Sequence, residues 1–229
     1  MSEEQSTRRY YDDPCGIARA LNLIGERWAI LVVRELIHGP KRFAELGAGL
    51  DGVSPNVLTQ RLRDLTARGL VRRRRLGPPV SAEVYELTSL GEGLEPVLMA
   101  LAHWGSRATP PGSGELSDDA FILALRTTFS PGTSCPRGEY VLSMRDDTFT
   151  LEVADGGLTS RRGVGAMAIA TITAAVPTLR KIVFGGQAAT DAVASGAVAI
   201  DGDNDAGLAF LGSFERPTLI TATTRSDLT

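Results

Sequence analysis

Four side chains of this 229-residue chain recur at helical spacing with the groups needed to read base-pair edges: Asn56, Thr59, Gln60 and Arg63. At 100° per residue they fall within about 50° of one direction, while Leu58, Leu62 and Leu65 fall on the opposite side. Asn and Gln pair bidentately with adenine, Arg pairs with guanine, and Thr meets a thymine methyl or a phosphate. An ordinary solvated helix face has the same pattern, so the residues that follow carry weight. Arg72, Arg73, Arg74 and Arg75 come next in unbroken succession. On a strand about two of them point to each face. Adjacent like charges repel, and a polyanion offsets that repulsion. A hairpin beside the helix would bring one pair to phosphate or into a minor groove.

Other reactive residues are sparse. Cys15 and Cys135 are about 120 positions apart, which argues against a disulfide framework, and with His38 and His103 they give no zinc spacing. Cys15 is a candidate redox thiol, with Arg19 one helical turn later as a source of positive charge; a small buried apolar role is the plainer alternative. Neither histidine stands in a recognisable nucleophile arrangement. Gly156-Gly157 and Gly185-Gly186 lack a phosphate-loop pattern. The expectation is a protein that is not an enzyme and carries no cofactor.

The formal net charge of −3 does not fit a nucleic-acid binder until it is divided. Residues 1–110 carry 15 Lys and Arg against 13 Asp and Glu, and residues 111–229 carry 9 against 14. Between Arg61 and Arg75 there are seven arginines and one acid, Asp64, so a basic patch sits in an otherwise acidic chain. No apolar run approaches the roughly 18–20 residues that span a bilayer. The start, MSEEQSTRRYYDDP, is charged where a secretory signal is apolar, which implies a cytoplasmic protein without a membrane partner.

The elements that must position these residues follow from periodicity. Ile17, Leu21 and Ile24 mark a short helix; Trp28, Leu31, Val32 and Leu36 mark another, stopped by Gly39-Pro40; Phe43 and Leu46 mark a brief third. The helix bearing the polar stripe starts at Ser54-Pro55, a capping hydroxyl followed by proline at the first helical position, and ends at Arg68-Gly69. Ser54 joins the candidate DNA contacts. The period then changes to that of two strands, Leu70–Leu76 and Glu83–Leu87, around a turn at Gly77-Pro78-Pro79. A long helix from about Leu90 to Arg107 follows, and 108–116, rich in Pro, Gly and Ser, reads as a linker. The predicted domains are 1–107 and 117–229.

In order and spacing, Cys15 with IARALNLIGERWAILVVREL, RFAEL, SPNVLTQRLRDLTARGLVRRR and YELTSLGEGLEPVLMALAHW resemble the HxlR-type regulators, relatives of the MarR winged-helix proteins, over about residues 13–107. The resemblance implies a homodimer on a two-fold operator, with the helix after Ser54 as reader, the hairpin as wing and terminal helices at the dimer contact. Leu94, Leu98, Leu101 and Trp104 are the candidates for that contact, with intradomain core as the alternative. Cys15 matches a cysteine that senses oxidants or electrophiles in some members, although Gly16 stands where many carry proline.

Beyond the linker, Ser117-Asp118-Asp119 caps a helix with Phe121, Ile122, Leu125 and Phe129 spaced for burial. Tyr140, Leu142 and Met144, then Phe149, Leu151 and Val153, alternate as two strands with one covered face. A strand at 168–173, helices near 179–184 and 188–195, a strand at 197–200 and a last helix near 206–214 complete an α+β layout, an antiparallel sheet backed by helices. The stretch Ala170–Asp203 resembles the sterol-carrier-protein type 2 (SCP2) fold, which implies a cavity for lipids or other apolar molecules. Phe121, Leu125, Tyr140, Leu142, Phe149, Leu151, Leu179 and Val183 are the candidate lining, each equally suited to plain core.

The function expected from the sequence is therefore a dimeric DNA-binding transcription regulator that responds to a hydrophobic small molecule or lipid. The alternatives are a redox-responsive regulator acting through Cys15, or a lipid-binding carrier or adaptor that does not bind DNA.

Overall fold

The computed structural model describes residues 10–78, 81–112, 114–130, 135–145, 147–155 and 157–220. By contacts, residues 10–36 and 40–93 form one unit and residues 37–39 and 94–220 a second. This division and the linker read from composition differ in where they place the helix before residue 108.

The first unit consists of α1 (Gly16–Ile24), α2 (Ala29–Leu36), α3 (Phe43–Gly49), α4 (Pro55–Ala67), the strands β1 (Val71–Arg75) and β2 (Glu83–Leu87), and α5 (Ser89–Glu92). Helix α4 starts where its sequence dictates. The Ser54 side chain accepts the Val57 N–H, and Pro55, which has no N–H to lose, opens the helix. It ends at Gly69, whose φ of +73° suits a residue without Cβ and turns the chain directly into β1. Leu58, Leu62 and Leu65 are buried together with Ala29, Val32, Val33 and Leu36 of α2 and Leu46 of α3. Each such large side chain contributes about 1.5–3 kcal/mol by leaving water, so the opposite face of α4 is held outward by its own core.

Strands β1 and β2 pair antiparallel from Val71↔Leu87 to Arg75↔Glu83. Of the turn expected at Gly77-Pro78-Pro79, Pro79 lies outside the described residues. Lys41 adds a third, one-residue rung. Its N–H and C=O exchange hydrogen bonds with Tyr85 at 2.9 and 2.8 Å, so the hairpin base is tied to the segment between α2 and α3.

The second unit contains α6 (Glu95–Ala108), α7 (Asp118–Thr128), β3 (Gly138–Ser143), β4 (Thr148–Ala154), β5 (Gly157–Arg162), β6 (Ala168–Thr173), α8 (Val176–Val183), α9 (Ala189–Ala194), β7 (Ala199–Gly202) and α10 (Asn204–Leu211). The sheet order is β5-β4-β3-β6-β7, and β3 and β6 run parallel while the other pairs are antiparallel. The expected all-antiparallel sheet is corrected to a mixed one. The reason lies in residues 163–167, which carry the chain from the outer strand β5 across β4 and β3 to β6. That crossover lies close on the sheet: a Cβ at Gly165 would stand 2.2 Å from the Glu139 carboxylate and 3.0 Å from Thr150. Strand β5 itself was absent from the sequence reading.

Tyr140, Leu142, Phe149, Leu151, Val153, Ala170 and Ile172 form one apolar sheet face. They share a core with Phe121, Ile122 and Leu125 of α7, Leu179, Ile182 and Val183 of α8, and Phe210 and Leu211 of α10. The layout is helices on a sheet, as expected; nothing in it establishes likeness to the SCP2 fold. Among the described residues no helix is long and apolar enough to cross a membrane.

Candidate nucleic-acid interface

Helix α4 presents Asn56, Gln60 and Arg63 to solvent and keeps Thr59 half-buried. Among the described residues neither Asn56 nor Arg63 has a side-chain hydrogen bond or ion pair, so their donors and acceptors are available to a ligand. Gln60 is partly committed: its amide donates to Asp64 Oδ1 at 3.0 Å, which leaves its carbonyl and second amide hydrogen. The Thr59 hydroxyl donates back to the Pro55 carbonyl at 2.8 Å. Ser54, exposed, is occupied as the cap, and its hydroxyl hydrogen remains for an outside acceptor. Val57, missed in the sequence reading, is exposed on the same first turn and supplies a methyl surface of the kind that meets thymine. Arg61 faces a different duty, pairing with Glu26 at 3.5 Å and Asp64 at 3.3 Å.

The wing arginines are all exposed, as expected. The expectation that a polyanion is needed to offset them is corrected by the register. Glu86 stands directly across from Arg72, and Glu83 across from Arg75. Glu86 holds Arg72 through Nε at 2.7 Å and Arg74 through Nη2 at 2.9 Å, while Arg73 pairs with Glu83. Arg75 has no ion pair among the described residues. The hairpin offsets half of its own charge, since two carboxylates face four guanidiniums.

A buried polar bond network fixes the wing base. Glu35, fully buried on the apolar side of α2, is gripped by Lys41 Nζ at 2.8 Å and by Arg34 at 2.8 and 3.0 Å. Arg34 also donates to the Gly49 carbonyl at 3.2 Å, at the end of α3. Lys41 therefore positions the wing by its backbone and α2 by its ammonium. An acid inside the run AILVVREL was the one available signal for this.

Cys15 is exposed at the N-cap of α1, and its N–H donates to Asp13 Oδ1 at 2.8 Å. Beside it, Tyr10, Gly16, Arg19, Ala20, Asn22, Leu23 and Arg68 line an open pocket of about 660 Å³. The four candidate dimer residues of the long helix divide. Leu98 is 5% exposed and belongs to the core, Leu94 is half-buried, and Leu101 and Trp104 are 46% and 63% exposed. Val97, exposed and on the same apolar face though not among the four dimer candidates, completes a stripe at i, i+4 and i+7 with the last two.

In the second unit the eight candidate ligand-lining residues are all buried and packed on one another. A separate open pocket of about 430 Å³ lies nearby, lined by Leu116, Val176, Pro177 and Phe184 with Glu115, Arg180 and Lys181 at its polar side. Another grouping was invisible in the sequence. His38 lies between Asp119, 2.9 Å from Nδ1, and Ser160, 2.9 Å from Nε2, an order that matches a nucleophile, base and orienting acid. Both Asp119 oxygens also accept from Arg162 at 2.8 and 2.9 Å, and the Arg162 guanidinium lies 4.7 Å over the Phe149 ring. Burial works against the Arg162 charge, but Asp147 and Asp119 outweigh it and raise its pKa. The arrangement is an ion-paired polar core: Asp119 serves the guanidinium as much as the imidazole.

A family model described as HxlR-like helix-turn-helix matches residues 23–113. The HTH-type transcriptional regulator YkvN of Bacillus subtilis is 38% identical over 91 residues, which is 40% of this chain and 77% of that protein. The HTH-type transcriptional regulator YodB of Bacillus subtilis is 32% identical over 93 residues, 41% of this chain and 83% of that protein. Among solved structures, the reduced form of YodB is 31% identical, with a TM-score of 0.38, covering 43% of this chain and 98% of that one.

Proposed function

Because the chain belongs to the HxlR-like helix-turn-helix family of transcriptional regulators, we propose that it regulates transcription as a homodimer, reading DNA through Ser54, Asn56, Thr59, Gln60 and Arg63 with Arg72–Arg75 on the wing. The observation that carries the reading is the outward face of α4, where Asn56 and Arg63 keep their hydrogen-bonding groups uncommitted beside four exposed arginines. Arg63 supplies bidentate guanine readout and Asn56 bidentate adenine readout. A two-fold dimer places two such helices one DNA turn, about 34–36 Å, apart and so reads a palindrome. Selection of duplexes from a randomised pool tests this: an enriched palindrome is expected, with binding lost in Arg63→Ala/Arg75→Ala. No enrichment at low salt, or unchanged binding by the double variant, overturns it.

The exposed stripe of Val97, Leu101 and Trp104 supports the homodimer, since a helical apolar stripe left in water calls for cover. Sedimentation of Trp104→Arg is expected to give a monomer where the parent gives a dimer. The second unit is assigned the role of effector domain for an apolar molecule, as the sequence resemblance of Ala170–Asp203 to the SCP2 fold implies. The pocket beside Phe184 supports this, as its volume falls within the range of small-molecule sites and Arg180 and Lys181 suit an anionic end. Native mass spectrometry of protein from its own host tests for a retained ligand.

The second reading is redox response through Cys15. Exposure of the thiol at a helix N-cap favours it, and a relative with solved reduced and quinone-bound forms, YodB, supports it. Loss of DNA binding on treatment with a quinone, abolished in Cys15→Ser, is the expected signature.

A further inference from the structure

Three of the four wing arginines are held by acids of the opposite strand, but the two acids differ in burial. Glu86 is 11% exposed and lies beneath Arg72 and Arg74, which are 65% and 49% exposed. Glu83 and its partner Arg73 are both open to water. A phosphate approaching the wing therefore meets the Arg72 and Arg74 guanidiniums in front of the carboxylate that anchors them.

We propose that Glu86 is a positioning residue of the wing: it fixes Arg72 and Arg74 as one outward-facing pair and thereby sets how strongly the protein prefers its chosen sequence over DNA in general. The inference rests on the DNA-binding reading above. A guanidinium has five N–H donors. Arg72 spends Nε on Glu86 and Arg74 spends Nη2, so each keeps donors for a second acceptor. An arginine already held in place loses less rotamer freedom when it meets a phosphate. The pair is one strand repeat apart, i and i+2 on one face, and both guanidiniums meet one carboxylate, Arg72 at Oε1 and Arg74 at Oε2, so Glu86 fixes the spacing of their tips. This favours the one docking register in which two phosphates match that spacing.

The same carboxylate lowers the charge of the wing. General binding is driven by counterion release and scales with the number of phosphates neutralised, so a negative charge inside the wing weakens it at every sequence alike. Glu86 thus subtracts from binding at random sites while it organises binding at the matched one. Glu83 subtracts the same charge, but an exposed pair holds its arginine loosely.

The test compares the parent protein with Glu86→Gln and Glu83→Gln, each titrated with the duplex that the parent enriches most from a randomised pool and with an unselected duplex of equal length. Glu86→Gln is expected to bind the unselected duplex more tightly, to steepen the salt dependence by about one unit per protomer, and to lower the preference for the selected duplex by at least about two- to tenfold, the range for freeing one side chain. Glu83→Gln is expected to tighten both and leave the preference unchanged. An unchanged preference in Glu86→Gln, an equal loss of preference in both variants, or weaker general binding in Glu86→Gln overturns the proposal. If the parent enriches no duplex at all, the DNA reading itself fails, and the two failures are thereby told apart.

Discussion

The wing and the polar core around His38 use the same chemistry, arginine against carboxylate, at opposite degrees of burial. On the wing, Arg72, Arg73 and Arg74 extend into water with one acid partner each. In the second unit the Asp119 carboxylate is fully buried and shared between Arg162 and His38. Burial decides what each set does. Exposed pairs are screened and cost side-chain entropy to hold, so they contribute about 0–1 kcal/mol and leave the cation available to an outside anion. A buried carboxylate that loses its partners, or partners that lose it, are left without water, and breaking such a pair costs about 3–5 kcal/mol. The first arrangement leaves its cations open to an outside anion and the second holds the fold.

The largest effect is therefore expected at Asp119. Asp119→Ala should lower the stability of the chain to urea by about 3–5 kcal/mol, read by far-UV circular dichroism, because it strips His38 of its Nδ1 partner and leaves Arg162 with Asp147 alone. A loss under about 1 kcal/mol, the size of a surface pair, would break the contrast. A smaller effect should appear in alkali. Tyr140 is fully buried, its hydroxyl donates to the Pro136 carbonyl at 2.8 Å and accepts from the Cys135 thiol, and burial above all raises its pKa well beyond the usual 10. Folded protein then keeps a proton that unfolded chain gives up. Stability is whole below pH 10 and falls as pH climbs from there toward the raised folded value, by up to about 1.4 kcal/mol per pH unit. Urea unfolding at successive alkaline pH values should show that slope, and Tyr140→Phe should flatten it.

What was legible in the sequence was local. The Ser54-Pro55 start of α4, its leucine stripe and the hairpin each follow from neighbours a few residues apart, and each is found in place. What was not legible needed register or distance. Glu86 is recognisable as the partner of Arg72 only once the two strands are paired, 14 residues apart. His38 reaches Asp119 and Ser160 over 81 and 122 residues. Strand β5, with alternating Leu158, Ser160 and Arg162 facing inward, escaped notice because two of its three inward residues are polar and satisfied by that same network. On the long helix, one residue of phase separates the buried Leu98 from the exposed Val97, and composition cannot assign that phase.

The smallest effect on stability is expected at Arg73, and it sharpens the contrast most, since it separates fold from binding at one position. Arg73 and Glu83 are each more than half exposed, so Arg73→Ala should change urea stability by no more than about 1 kcal/mol. Its effect on DNA should be uniform over sequence: weaker binding to selected and unselected duplexes alike, with the salt slope reduced by about one unit per contact removed. Arg75→Ala, which breaks no ion pair among the described residues, should match it in salt slope and cost less affinity, because no carboxylate is released to repel the phosphate in its place. If Arg73→Ala lowered the preference for the selected duplex instead, the exposed acid would be organising its arginine after all, and the distinction between Glu83 and Glu86 by burial would fall.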